Sequence, residues 1–164
     1  MRKQPMNNLS KIIKAGLIVG TLDILSAFIY VCIKTGKFIP GGILKFIASG
    51  IFGKDAFAGG TSMIVAGLIF HYLVAFAFTI FFFWISSRLK FILKNFILAG
   101  IIYGIFIWVV MNLVVVPLSN VPPRPFDVVN AIINMLILII CIGLPLSFMA
   151  GRIDKKSNSA FELH

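Results

Sequence analysis

Charge is what this sequence has least of. Asp and Glu together number 5 in 164 residues, and all charged residues make up 12%, against about a quarter in an average soluble domain. Hydrophobic residues fill 60% of the chain and the mean hydropathy is +1.05, so the chain reads as an integral membrane protein. Cysteine is scarce too. Cys32 and Cys141 stand in apolar segments with no CxxC, which argues against a disulfide or a metal ligand set and reads them as small buried apolar residues. HExxH, GxSxG, a P-loop and a Gly-rich dinucleotide fingerprint are all missing, so no enzyme is expected. With His71 as the one histidine inside an apolar run, a metal site within one chain is short of ligands, and a lone histidine is more often structural than a haem ligand. No metal and no cofactor are expected.

What the sequence does have is 15 Lys+Arg. They flank apolar segments and make no continuous basic face, so they read as membrane-edge anchors and exclude nucleic acid; the expected partner is the lipid bilayer. The basic N-terminus and the apolar run after it resemble a signal peptide, but the run is too long, contains Asp23 and lacks a small-x-small cleavage site. It is a retained first span.

Four segments reach the roughly 20 residues that a hydrocarbon core demands: 12–33, 61–86, 96–117 and 128–150. Lipid leaves an isolated strand's backbone unsatisfied, so each must be helical despite many β-branched and Phe residues. The fold class is an all-α membrane protein, a four-transmembrane-helix bundle occupying 12–150 between an N-terminal segment, 1–11, and a tail, 151–164. Arg2, Lys3, Lys11, Lys14, Arg88, Lys90, Lys94, Arg152, Lys155 and Lys156 gather on one side, which puts both termini in the cytoplasm. Lys34, Lys37, Lys45, Lys54 and Arg124 fall on the other.

The first external loop is too apolar for a plain turn. In "FIPGGILKFIASGIFG", Pro40 stands where a helix can start, and Ile43, Ile47 and Ile51 share one face. This predicts an interfacial amphipathic helix over 38–53; a re-entrant segment, suggested by Gly41, Gly42, Gly50 and Gly53, is the alternative. "SNVPPRPFD" predicts a stiff non-helical cap, and the polar tail after Asp154 is expected to be disordered. Pro145, eased by Gly143, predicts a kink near the inner end of the last span.

Two GxxxG motifs, Gly16/Gly20 and Gly100/Gly104, lie at similar depth in the first and third spans, which predicts that these two helices cross at their glycines. A homo-oligomer face is the second reading of the same motifs. Asp23 lies about 16 Å from the cytoplasmic end of its span and His71 about 15 Å from the outer end of the next, both near the midplane. A charge at that depth costs at least about 2.5–3.5 kcal/mol, so the two are expected to pair, directly or through one water. Thr21, Ser26 and Tyr103 are alternative partners for Asp23. The pair is either proton-responsive or a bland register-fixing contact. A second, outer polar level of Asn112, Asn130 and Asn134 is expected to bring its amides together as interhelical glue.

The stretch from His71 to Asp127 resembles the YagU-like family of bacterial inner-membrane proteins. The resemblance rests on His71 before a Phe-rich helix, a short basic turn, "LAGIIYG" with Ala99, Gly100 and Gly104, "VVPL" with Pro117 and Leu118, and "VPPRPFD" with Pro122, Pro123 and Phe126. It implies a bacterial inner-membrane location and a link to acid tolerance. Two functions are therefore carried forward: a small non-enzymatic protein of structure or stress, and a proton-coupled transporter or channel working as an oligomer through Asp23 and His71.

The charge distribution makes a testable statement about topology. In a background without Cys32 and Cys141, Arg124→Cys should react with an impermeant thiol reagent on intact cells and Lys90→Cys should not. The reverse pattern overturns the assignment.

Overall fold

Hydrocarbon offers a backbone no hydrogen-bonding solvent, and the chain answers with helix almost throughout. A computed structural model describes residues 5–88, 95–123, 125 and 127–152, and it is 88% helical with no strand among the described residues. The elements are α1 (Pro5–Thr35), α2 (Pro40–Phe52), α3 (Asp55–Ala58), α4 (Thr61–Arg88), α5 (Phe96–Val110), a π-helical turn at Met111–Val115, α6 (Val116–Leu118), α7 (Val128–Leu138) and a second π-helical turn at Ile139–Gly143. Four stretches are long and apolar enough to cross a membrane: Leu9–Thr35, Thr61–Arg88, Phe96–Leu118 and Val128–Arg152. Arg2, Lys3, Lys90, Lys94, Arg124, Phe126 and the tail with Lys155 and Lys156 lie outside the described residues.

The ends of these helices follow from local chemistry. Gly36, at φ 68°, closes α1 by returning its N–H to the Cys32 carbonyl at 2.8 Å. Asn95 caps α5 by accepting from the Leu98 N–H at 3.2 Å, and Asp127 caps α7 by accepting from Val129 and Asn130 at 2.9 and 3.1 Å. Both π-helical turns end two residues before a proline, Pro117 and Pro145. A proline has no N–H for the carbonyl four residues back and its ring crowds that carbonyl; widening the helix just before it relieves the clash. The bend expected at Pro145 thus takes the form of a π turn above it.

The glycines set which helices touch, and here the expected pairing is corrected. The first and third spans do not cross at their GxxxG motifs. Gly16 lies under the Phe76 ring and Gly20 against Tyr72 and Ala75, so the first pair receives the second span. Gly100 and Gly104 receive the fourth span: a Cβ there would stand 2.8 Å from the Leu144 Cα and 2.5 Å from the Ile139 Cα. Gly143 faces the Gly100 carbonyl in return. Elements consecutive in the chain are usually adjacent in space, which favours these pairs of antiparallel spans over the one-and-three crossing.

The common core lies in the half of the bundle nearer the chain termini. Ala15, Val19, Phe82, Tyr103, Ile107, Ile142, Leu146 and Ala150, drawn from all four spans, make one buried cluster, and the Tyr103 hydroxyl donates to the Phe78 carbonyl at 2.5 Å. The other half is built differently. There α2 docks on α4, with the Leu44 backbone against Gly67 and Phe52 edging Phe70 at 6.0 Å between centroids. Its buried row is Leu44, Ala48 and Ser49, whereas Ile51 is exposed. Of the three isoleucines that share a face, Ile43 and Ile47 are half-buried and only Ile51 is exposed; the small residues Ala48 and Ser49 permit the close approach to α4. The loop after the third span ties down the end of α2: the Asn120 N–H donates to the Gly50 carbonyl at 2.9 Å and its Nδ2 to the Ile51 carbonyl at 2.8 Å.

Close backbone contacts predict unequal costs for adding one methyl group. Gly67→Ala and Gly104→Ala each meet backbone and should destabilise the protein by about 1–3 kcal/mol. Gly16→Ala meets only the Phe76 ring, which can turn aside, and should cost less. Melting temperatures in one detergent check the order; a wild-type value for Gly67→Ala would mean that α2 does not sit on α4 in this way.

Candidate functional site

Polar side chains inside a membrane protein are the places to look for function, because each must be compensated or used. His71 is 9% exposed, and its Nε2 stands 2.8 Å from the Gly20 carbonyl on α1. The absence of a side chain at Gly20 is what lets α4 approach that carbonyl. Asp23 lies one turn further along α1, within electrostatic reach of His71. Among the described residues no hydrogen bond or ion pair joins the Asp23 carboxylate to His71. The direct bond is therefore replaced by a histidine-to-backbone bond.

Nor do the alternative partners take the carboxylate. Thr21 shares a 2.8 Å hydrogen bond with the Tyr72 hydroxyl, Ser26 donates to the Asp23 backbone carbonyl at 2.7 Å, and Tyr103 is engaged with Phe78. Asp23 has a further neighbour that sequence reasoning missed. Cys141, in the second π turn of the fourth span, faces Ser26 and Asp23. Its membership in an otherwise apolar run hid it; the sequence signal was the proline four residues later, which loosens the helix where Cys141 sits.

The outer polar level is rearranged as well. Asn112, Asn130 and Asn134 do not come together. Asn112 donates to the Trp108 carbonyl of its own helix at 2.9 Å. Asn130 turns to the first span: its Oδ1 accepts from Lys34 Nζ at 2.7 Å and from the Tyr30 hydroxyl, while its Nδ2 donates to Asp127. Asn134 is exposed and makes no hydrogen bond among the described residues. Asn112 stands within the π turn of the third span, where a carbonyl of its own helix satisfies its amide more cheaply than a reach across to the fourth.

Two rows result. Along α1, Asp23, Ser26, Tyr30 and Lys34 are spaced by three or four residues and so lie on one face. Along the fourth span the facing row is Asp127, Asn130, Asn134 and, past Leu138, Cys141. The groups that meet across it are Lys34 and Tyr30 with Asn130, and Ser26 and Asp23 with Cys141. Among the described residues, no group of His, Cys, Asp or Glu is arranged to hold a metal ion.

No family model, no curated protein and no solved structure matches the chain.

The His71 bond can be measured. Replacing the ring by an isosteric apolar group, His71→Leu, should lower unfolding stability by about 0.5–1.7 kcal/mol, the range of interhelical polar contacts in membranes. Asp23→Asn, with no direct partner to lose, should change it by less. Equal losses for both, non-additive in the double variant, would mean that the carboxylate and the ring bond each other after all.

Proposed function

We propose that the chain is a small non-enzymatic protein of the bacterial inner membrane, with both termini cytoplasmic, that serves stress tolerance, and acid tolerance in particular, through protonation of Asp23. One observation carries this reading: a carboxylate stands inside a membrane span beside a histidine, yet every nearby hydroxyl and the histidine Nε2 itself are occupied elsewhere. A polar residue kept only as glue is expected to find a partner, since leaving it unpaired in hydrocarbon is costly. A carboxylate left unpaired retains its capacity for a proton. The resemblance of residues 71–127 to YagU-like proteins supports the acid connection and the location.

The second reading, a proton-coupled transporter or channel working as an oligomer, is favoured by the two facing polar rows. Four spans enclose little space, so a complete path across the bilayer would call for more than one copy.

Strains carrying Asp23→Asn and Asp23→Glu in place of the wild-type gene test the proposal under acid challenge. Asp23→Asn should survive no better than a strain lacking the gene, Asp23→Glu should survive as the parent does, and both proteins should accumulate normally in the membrane. Survival of Asp23→Asn at the parental level overturns the reading, as does a gene-lacking strain that tolerates acid as well as its parent.

A further inference from the structure

The two polar rows run from the face that bears α2 to the middle of the bundle and stop there. Beyond Asp23 toward the termini, the first span presents Gly20, Val19, Gly16 and Ala15 and the fourth presents Ile142, Leu146 and Ala150, all buried apart from solvent. On the α2 side the packing is of another kind. No residue of α7 is buried, and none of α1 after Ile24. Asn134 shares a helical face with Asn130, which reaches across to α1, and yet it is exposed and without a hydrogen bond among the described residues. An amide held in hydrocarbon without a partner is strongly unfavourable; one bathed by water is not.

From this we infer that the seam between the first and fourth spans is a hydrated half-path, open on the α2 face and closed at Asp23, along which protons reach the carboxylate. Its rungs are Asp127, Asn130 and Asn134 on one wall and Lys34, Tyr30 and Ser26 on the other. The Tyr30–Asn130 hydrogen bond spans both walls two turns above Asp23 and forms the constriction. Leu138, the one apolar side chain on the row, packs against the core cluster and leaves the last step to water. The groups facing the carboxylate at the floor are His71 from the second span and Cys141 from the fourth, and the carboxylate itself is the acceptor of a proton delivered there. This inference takes from the preceding section only the purpose of the path; the path itself is a statement about water access.

Cys141 is a native reporter at the floor. In a Cys32→Ser background, membrane vesicles of both orientations are exposed to a small cationic methanethiosulfonate, which reacts with thiols that water reaches. Cys141 should be modified from one side only, the side from which Lys45→Cys reacts in a Cys32→Ser, Cys141→Ser protein. Tyr30→Phe should raise the rate several-fold by removing the constriction, and Asn134→Leu should lower it about tenfold by drying the wall. Asp23→Asn should slow the cationic reagent and leave a neutral one of the same size unchanged. The inference is overturned if Cys141 reacts only with a membrane-permeant maleimide or in dodecyl sulfate, if it reacts from the other side, or if Asn134→Leu has no effect. Because the readout is labelling, a hydrated seam in a protein whose Asp23→Asn variant survives acid would refute the acid role and leave the path standing. A dry seam in a protein that needs Asp23 would do the opposite.

Discussion

Gly20 has no side chain, and much of the arrangement depends on that. The second span approaches its backbone closely enough for His71 to bond the Gly20 carbonyl, and this contact fixes the register of α4 against α1. Once the register is set, Tyr72 meets Thr21 and Phe76 covers Gly16. The same register satisfies His71 from the backbone and leaves the Asp23 carboxylate, one turn away, without a direct partner among the described residues. A packing choice at one glycine thus decides the chemistry available at the neighbouring carboxylate. Any residue with a Cβ at position 20 would push against Ala75 and Tyr72 and alter both together.

The two prolines act in a similar way on the other pair of helices. Pro117 and Pro145 remove one backbone donor each, and the helix widens before each of them. In the fourth span the widened turn carries Ile139 onto Gly104 and Gly143 onto Gly100, and in the same five residues it turns Cys141 toward Ser26. Tight packing on one side of the helix and a polar contact on the other come from one local distortion.

The number of spans and their helical nature were legible, because length, apolarity and the demand for satisfied backbone are properties of each segment alone. Partner choice was not legible. Gly16/Gly20 and Gly100/Gly104 announce close approach but carry no address, and chain connectivity gave them the second and fourth spans. In α2 the shared face of Ile43, Ile47 and Ile51 announced an amphipathic helix but not the neighbour it meets. Leu44, Ala48 and Ser49 form its buried row, and Ile51 points outward. The asparagines were misassigned for a related reason. Their depth could be counted, but Lys34 was read only as a membrane-edge anchor, and its reach and that of Tyr30 to Asn130 followed from the placement of the first span beside the fourth.

The docking of α2 has a consequence for the bilayer itself. Through the depth of Gly67, α2 adds a further helix beside α4, while past it toward the termini the described residues continue as the four spans alone. The described residues therefore have a wider cross-section at the α2 end than at the end nearer the termini. A tapered body of this kind, set in a bilayer, would be accommodated with least distortion where the membrane bends toward its narrow end.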